Sequence, residues 1–191
     1  MNILEIRIAG RFQLLSRLSS SSFCELYEGI NVHSLVPIAI KIEDLKCKYP
    51  QLLYEAKILQ NLQGGLSIPS LHWCGPEGDY NVLIMDLLGP SLGEMLQKCG
   101  GKFSLKTILM LADMLINNIE YVHSKGYLHR DIKPENFLLG RGKNANKLFT
   151  IDFGLSKKFK DPKTQEHIQY RDKKPLIGTA RYASLNTHKG I

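Results

Sequence analysis

The hydrophobic pattern of this 191-residue chain changes period once, at Leu87-Leu88-Gly89-Pro90, and that change restricts the fold more than any other feature. Before it, apolar residues come in short runs, Phe12 to Leu18, Phe23 to Ile30 and Val36 to Glu43, separated by the serine cluster Ser19 to Ser22 and by Asn31 to Leu35. Such runs predict a meander of antiparallel strands. Leu52, Ala56, Leu59 and Leu62 then recur at helical spacing, with Pro50 suited to a first turn and Gly64-Gly65 to a stop, which predicts a helix over about 50–62. Two more extended runs, Leu71 to Cys74 and Asn81 to Asp86, flank the turn formers Gly75-Pro76-Glu77-Gly78-Asp79. After the switch the pattern is helical, first Ser91 to Cys99 and then Ser104 to about His123. In the second of these, Leu105, Ile108, Leu109, Ala112, Leu115, Ile116, Ile119 and Val122 form a broad stripe expected to face a core, with Ser104 as N-cap. Short strands follow around Phe137 to Leu139 and Lys147 to Ile151, and residues 152–191 read as polar and turn-rich with no terminal helix. The expectation is an α+β chain in two parts: a five-stranded antiparallel sheet with one helix over 1–87, and a mainly helical part over 88–191.

Composition narrows the classes. With 43% hydrophobic and 23% charged residues the chain is globular, neither disordered nor a disulfide scaffold. Its most apolar window, 105–116, is broken by Lys106, Thr107 and Asp113, short of the ~20 apolar residues a membrane helix needs, so no transmembrane segment is expected. Met1 to Arg7 lacks the basic and apolar regions of a secretory signal, and the expected location is inside the cell. Cys24, Cys47, Cys74 and Cys99 form no C-x-x-C pair and read as free thiols in a reducing compartment. The net charge of +7 is local: residues 141–191 carry +8 and the rest −1. A basic segment of this kind suits an acidic or phosphorylated partner, or nucleic acid; only Phe159, Tyr170 and Tyr182 lie among its cations, which ranks nucleic acid last.

The chemistry is concentrated in His129-Arg130-Asp131-Ile132-Lys133-Pro134-Glu135-Asn136 and Ile151-Asp152-Phe153-Gly154, with Asp152 lying 21 residues after Asp131. A loop aspartate alone more often caps a turn. Together, H-R-D-x-x-x-x-N and D-F-G match the catalytic loop and metal-binding turn of protein kinases. Phosphoryl transfer needs an acceptor for the hydroxyl proton and hard oxygen ligands that hold Mg²⁺ against a polyphosphate. Asp131 is the candidate base, and Asn136 and Asp152 are the candidate ligands. Upstream, Lys41 ends Ile38-Ala39-Ile40-Lys41, and Glu55 borders the apolar stripe of the 50–62 helix 14 residues later. A carboxylate at such a border requires a partner, and pairing with Lys41 would aim an ammonium at nucleotide phosphates.

More specific segments carry a family resemblance. Gln51 to Glu55, Asp79-Tyr80-Asn81-Val82, Met85 to Leu92, His129 to Asn136, Asn146 to Phe149 and Gly178-Thr179-Ala180-Arg181-Tyr182-Ala183-Ser184 together resemble the casein kinase I family of serine/threonine kinases, from about residue 11 onward. Ser184-Leu185-Asn186 stands where most kinases have A-P-E, a mark of that family. The resemblance implies a protein-kinase-like bilobal fold, with 1–87 as the nucleotide-binding N-lobe and 88–191 as part of the C-lobe. It implies ATP and Mg²⁺ as cofactors, with Leu18, Ser19, Ser21, Cys24, Leu26, Ala39, Lys41, Met85 as gatekeeper, and the Asp86 to Leu88 hinge around the nucleotide. Lys133 would contact the transferred phosphate. The implied substrates are proteins with serine or threonine shortly after an acidic or phosphorylated residue, which gives Lys157, Lys158, Lys160, Arg171, Lys173, Lys174 and Arg181 a role. Arg181 is the first candidate for the anion contact. No nucleic-acid or membrane partner is implied, and the expected location is the cytoplasm with nuclear access.

Two departures from the family bear on activity. Where kinases have G-x-G-x-x-G this chain reads Ser19-Ser20-Ser21-Ser22-Phe23-Cys24, and side chains at left-handed positions or close to phosphate are expected to weaken ATP binding. The family also continues into further helices after the segment ending at Ile191, which implies an incomplete C-lobe here. Two readings therefore follow: a casein-kinase-I-type enzyme, or a catalytically weak homologue that binds the partners of such a kinase.

Overall fold

The computed structural model describes residues 7–21, 24–161 and 163–191. The chain divides into two compact units, Met1–Gln63 with Pro69–Leu88, and Gly64–Ile68 with Gly89–Ile191.

The first unit is built on one antiparallel sheet. Its strands are β1 (Arg7–Ile8), β2 (Phe12–Ser20), β3 (Glu25–Asn31), β4 (Pro37–Asp44), β5 (Leu71–Glu77) and β6 (Tyr80–Asp86), in the order β1-β2-β3-β4-β6-β5. The sheet thus has six strands rather than the five expected. Ala9 and Gly10 take φ of 48° and 69° and turn the chain so tightly that Arg7 and Ile8 pair with Gln13 and Phe12. Two residues are too few for alternation to announce a strand. Phe23, expected to open the second run, lies outside the described residues with Ser22.

Alternation along β4 divides the sheet into two faces. Ile38 and Ile40 are fully buried in a core with Ile8, Phe12, Leu14, Tyr27, Val82 and Ile84, against which Ile42 and Trp73 also pack. Each such side chain contributes about 1.5–3 kcal/mol by leaving water. The intervening Ala39, Lys41 and Glu43 occupy the opposite face. The helix α1 (Leu52–Asn61) lies against β4, β5 and β6, burying Leu52, Glu55, Ala56, Ile58 and Leu59. Pro50 falls just before the helix, whose N-cap is Gln51.

In the second unit, α2 (Leu92–Lys98) begins with a reciprocal cap: Ser91 Oγ accepts from the Glu94 amide, and the Glu94 carboxylate accepts from the Ser91 amide. α3 (Leu105–Ser124) is capped by Ser104, as expected. The remaining strands are short pairs, β7 (Tyr127–Leu128) with β10 (Lys157–Lys158) and β8 (Phe137–Leu139) with β9 (Leu148–Thr150). Leu92, Phe137 and Leu148 form the core here, packed against Leu111, Met114, Leu115 and Ile119 of α3. The apolar stripe of α3 is therefore only partly inward. Leu105, Leu109 and Ile116 are 71%, 61% and 68% exposed, contrary to expectation. Buried Asn118 donates to the Leu148 carbonyl and fixes which side of the helix meets β9. A terminal helix that the sequence did not announce, α4 (Leu185–His188), has Ser184 as its cap. No helix among the described residues is long and apolar enough to cross a membrane, and the four cysteines are unpaired.

Candidate active site

In the first unit Lys41 Nζ donates to Glu55 Oε2 at 2.7 Å, with Lys41 15% and Glu55 5% exposed by side chain. A pair this buried in one geometry fixes an ammonium far better than a surface pair does. The sheet register aligns other predicted nucleotide residues around it. Ser19 pairs with Leu26 and Leu26 with Lys41, while Ala39 pairs with Met85. Leu26, Ala39, Lys41 and Met85 consequently share one face of the sheet, and Ala39 and Met85 are buried. Leu18 is 47% exposed on β2. Asp86, at the end of β6, accepts from His72 Nε2 at 2.8 Å and from the Ser70 amide at 2.9 Å. Burial pushes its carboxyl up, but these bonds outweigh burial and hold it below the usual range.

At the tip of the β2–β3 hairpin, the Ser21 amide and hydroxyl donate to the Cys24 carbonyl, and Ser21 Oγ accepts from the Cys24 amide at 3.1 Å. None of Ser19, Ser20 and Ser21 has positive φ, so the backbone strain expected of a serine in a glycine position does not arise at these three residues. Ser22 and Phe23 lie outside the described residues.

In the second unit one network holds Asp131, Lys133 and Asn136. Asp131 Oδ1 accepts from the Thr179 hydroxyl at 2.7 Å and the Thr179 amide at 2.9 Å. Oδ2 accepts from Lys133 Nζ at 2.8 Å and Asn136 Nδ2 at 3.1 Å. Lys133 Nζ also donates to Thr179 Oγ1 at 3.2 Å. Burial pushes the Asp131 carboxyl up; Lys133 and Thr179 more than offset it, leaving the group below its ordinary value and ionised at neutral pH.

Asn136 ends a 3₁₀ turn, Pro134–Asn136, with its amide nitrogen committed to the Asp131 carbonyl and carboxylate, and its own carbonyl accepts from the Ile151 amide next to Asp152. His129, 1% exposed, ties the same two segments together. Its Nδ1 accepts from the Asp131 amide, and Nε2 donates to the Ile151 carbonyl at 2.9 Å. Burial lowers its pKa, and this bonding pattern requires the neutral ring.

Asn136 and Asp152 each carry a side-chain oxygen that could ligate a metal ion. No group of three or more His, Cys, Asp or Glu gathers as a metal site among the described residues. Two protein oxygens suit Mg²⁺, which completes its shell with phosphate and water.

Thr179 was not among the predicted site residues. Its signal lay in Gly178-Thr179: Gly178 has φ of 90°, and a Cβ there would stand 2.4 Å from the Arg130 carbonyl oxygen, so only glycine brings Thr179 against Asp131.

The basic segment is also organised differently from expectation. A cavity of about 540 Å³ is lined by Arg130, Lys157, Arg171 and Lys174, with Tyr170 and Ser184. Arg181 is not among its lining residues; it is exposed, with its guanidinium 5.8 Å from the Tyr182 ring centre. Arg130 Nε donates to the Leu155 carbonyl at 2.6 Å. The Lys157 ammonium is pushed down by desolvation and then by repulsion from Lys174, Arg130 and Arg171.

Residues 12–185 match the family model of the protein kinase domain. The chain belongs to the protein kinase family. Kinase domains use ATP, typically with Mg²⁺, and act on proteins, and the Asp131 network of this kinase domain has the composition that such chemistry requires. Of the predicted site residues, the kinase fold brings Lys41 to Glu55 in the first unit, and Asp131 to Lys133 and Asn136 in the second. Arg181 stands apart from the cation cluster.

Proposed function

We propose that this kinase domain is a serine/threonine kinase of the casein kinase I type, transferring the γ-phosphate of Mg-ATP to hydroxyls in acidic or already phosphorylated protein segments. The observation that carries the reading is the fully engaged, ionised Asp131 carboxylate, with Lys133 and Thr179 both on it. A carboxylate held below its usual pKa is ionised at neutral pH, so its oxygens are acceptors that can orient a hydroxyl, and it gains the proton only as that hydroxyl becomes more acidic on bonding to phosphorus. Asp131 orients the substrate hydroxyl and takes its proton as the oxygen bonds to the γ-phosphorus and the bond from that phosphorus to the β,γ-bridging oxygen breaks, releasing ADP; Lys133 presents its ammonium to the negative charge on the transferred phosphoryl oxygens. Lys41, held by Glu55, is the cation for the nucleotide phosphates. Asn136 and Asp152 would hold Mg²⁺, which supplies charge neutralisation of the polyphosphate when bound.

Substrate class is read from the cavity of Arg130, Lys157, Arg171 and Lys174. Four cations that repel one another are relieved by an anion, and guanidinium forks favour phosphate. This cluster replaces Arg181 as the candidate anion contact.

The competing reading, a weakly active binding homologue, draws on the serines of Ser19 to Cys24. One assay separates them: phosphate transfer from Mg-ATP to a serine peptide, with and without a phosphoserine upstream, by the chain and by Asp131→Asn. Transfer by the chain, higher kcat/KM on the primed peptide and loss in the variant are expected. Equal incorporation by chain and variant removes the enzyme reading.

A further inference from the structure

The helix that carries Glu55 starts without a cap of its own. Gln51 is its N-cap residue and offers no side-chain bond to the exposed amides of the first turn, although a helix begins with donors that need acceptors. The acceptor comes from the sheet. Glu43 on β4, 2% exposed, takes the Gln51 amide on Oε1 at 2.7 Å and the Leu52 amide on the same oxygen at 3.1 Å, and its Oε2 accepts from Asn81 Nδ2 at 3.2 Å. A carboxylate is the favoured occupant of a helix N-terminus.

Glu43 lies two residues from Lys41 on the same strand and so on the same face. The bonds close a ring. Glu43 holds the Gln51 amide, the Gln51 carbonyl accepts from the Glu55 amide at 2.9 Å, the Glu55 carboxylate accepts from Lys41, and Lys41 returns to Glu43 through β4. A helix tied to one strand at two points, one turn apart, cannot rotate about its axis or slide along the strand without breaking a buried bond. A single Lys41–Glu55 contact would permit both.

We propose that Glu43 is a positioning residue: it pins the first turn of α1 to β4 so that Glu55 is delivered to Lys41 before any nucleotide is present. Only its consequence for nucleotide affinity rests on the reading of Lys41 given above; the anchor itself is a property of the first unit.

The test uses the full chain as wild type, Glu43→Ala and Glu43→Gln. The Glu43→Gln side chain keeps an oxygen for the two helix amides. Asn81 Oδ1 is buried with no partner among the described residues, so the Asn81 amide can turn to accept from the new side-chain nitrogen. The first readout is acylation of Lys41 by an amine reagent, resolved by mass spectrometry, with exposed Lys57 on the same helix as internal reference. Glu43→Ala is expected to raise Lys41 labelling about fivefold, the scale of a lost cap, with Lys57 unchanged; Glu43→Gln is expected to stay near wild type.

The second readout is equilibrium binding of Mg-ATP. Glu43→Ala should weaken it about fivefold in the wild-type background and less than about twofold when Glu55→Gln is already present, because the effect travels through Glu55. Unchanged Lys41 labelling in Glu43→Ala overturns the proposal, as does a rise shared with Lys57, which marks loss of structure instead of loss of position. A Glu43→Gln variant as reactive as Glu43→Ala, or an equal affinity loss in both backgrounds, also overturns it. If the wild-type chain binds no Mg-ATP, the nucleotide reading falls, while the labelling still decides whether Glu43 positions the pair.

Discussion

Two loops of this kinase domain treat backbone strain in opposite ways. The tip of the β2–β3 hairpin has serines where a phosphate-binding loop has glycines, and Ser19, Ser20 and Ser21 avoid positive φ. The loops around Asp131 keep full side chains and hold two of them, Arg130 and Asp152, at φ of 68° and 63°. A left-handed non-glycine residue costs roughly 1–2 kcal/mol, so such positions persist only where the surroundings fix them. The bond from Arg130 to the Leu155 carbonyl, and the bonds of His129 on either side, provide that fixing. Where the side chain is itself the functional group, the strain is retained. Where only the backbone is wanted, the chain is relaxed and the side-chain hydroxyl is used to close the turn.

The largest expected effect breaks the strained side of this comparison. Asp131→Asn removes the proton acceptor; its one carbonyl oxygen can still accept from Thr179, while its NH2 faces the Lys133 and Asn136 donors and loses those bonds, and kcat is expected to fall by about 10²–10⁴-fold, the range for a lost general base. Circular dichroism and thermal melting should show the variant folded. A kcat within about threefold of wild type would place the base elsewhere.

A smaller effect comes from Thr179→Val, which removes the hydroxyl from Asp131 Oδ1 and leaves the backbone amide. The sign follows from the lowered carboxyl pKa. A hydrogen bond to the charged form favours that form, so its loss lets the pKa rise, and the acid limb of the kcat/KM profile moves to higher pH. The same bond stabilises the fold above the unfolded-state carboxyl value of about 3.9 and ceases to do so as pH falls through the folded value. The urea stability difference between wild type and Thr179→Val should therefore be full at about pH 7 and shrink steadily as pH falls below about 4. A difference that stays constant across that range would assign Thr179 to packing alone.

Next in size is the cation cluster. Lys174→Ala is expected to reduce the preference for a phosphoserine-primed peptide by about five- to tenfold in KM at low salt, as one charge-assisted contact is lost. Wild-type preference should shrink with added salt, since the cavity is open to screening. Arg181→Ala should change the preference less than Lys174→Ala; the reverse order would restore Arg181 as the anion contact.

How much of this was legible in the sequence depended on the kind of interaction. Lys41 and Glu55 could be matched because a strand and a helix each have a period, and a carboxylate bordering an apolar stripe demands a partner. Asp131, Asn136 and Asp152 were found by spacing. Thr179 was not, because it reaches Asp131 across 48 residues through the φ of Gly178, which no periodicity encodes. In the sequence Arg130 reads as part of a motif, and Lys157, Arg171 and Lys174 as charges flanking a substrate groove; that the four line one cavity is set by the fold and not by spacing. The α3 stripe misled for a physical reason: an apolar surface wider than the contact available to it leaves Leu105, Leu109 and Ile116 outside. The first strand was missed because two residues cannot show alternation.

The smallest expected effect decides what the serines at the hairpin tip do. If they are substitutes that hold the loop away from phosphate, replacing Ser21 with glycine removes the obstructing Cβ and KM for ATP falls. The hydrogen bonds point the other way. Ser21 Oγ accepts from the Cys24 amide and donates to the Cys24 carbonyl, so the hydroxyl closes the turn on which the loop depends. Its loss costs about 0.5–1.5 kcal/mol of hydrogen bonding, and glycine adds the entropy of a freer backbone, about 0.5–1 kcal/mol. Part of this reaches the nucleotide, and Ser21→Gly is expected to raise KM for ATP by about two- to threefold. Ser21→Ala separates the two causes, since it keeps the Cβ and loses only the hydroxyl. A rise in both variants, larger in glycine, assigns the tip to the hydroxyl; a fall in glycine with no change in alanine assigns it to the Cβ and reverses the contrast between the two loops.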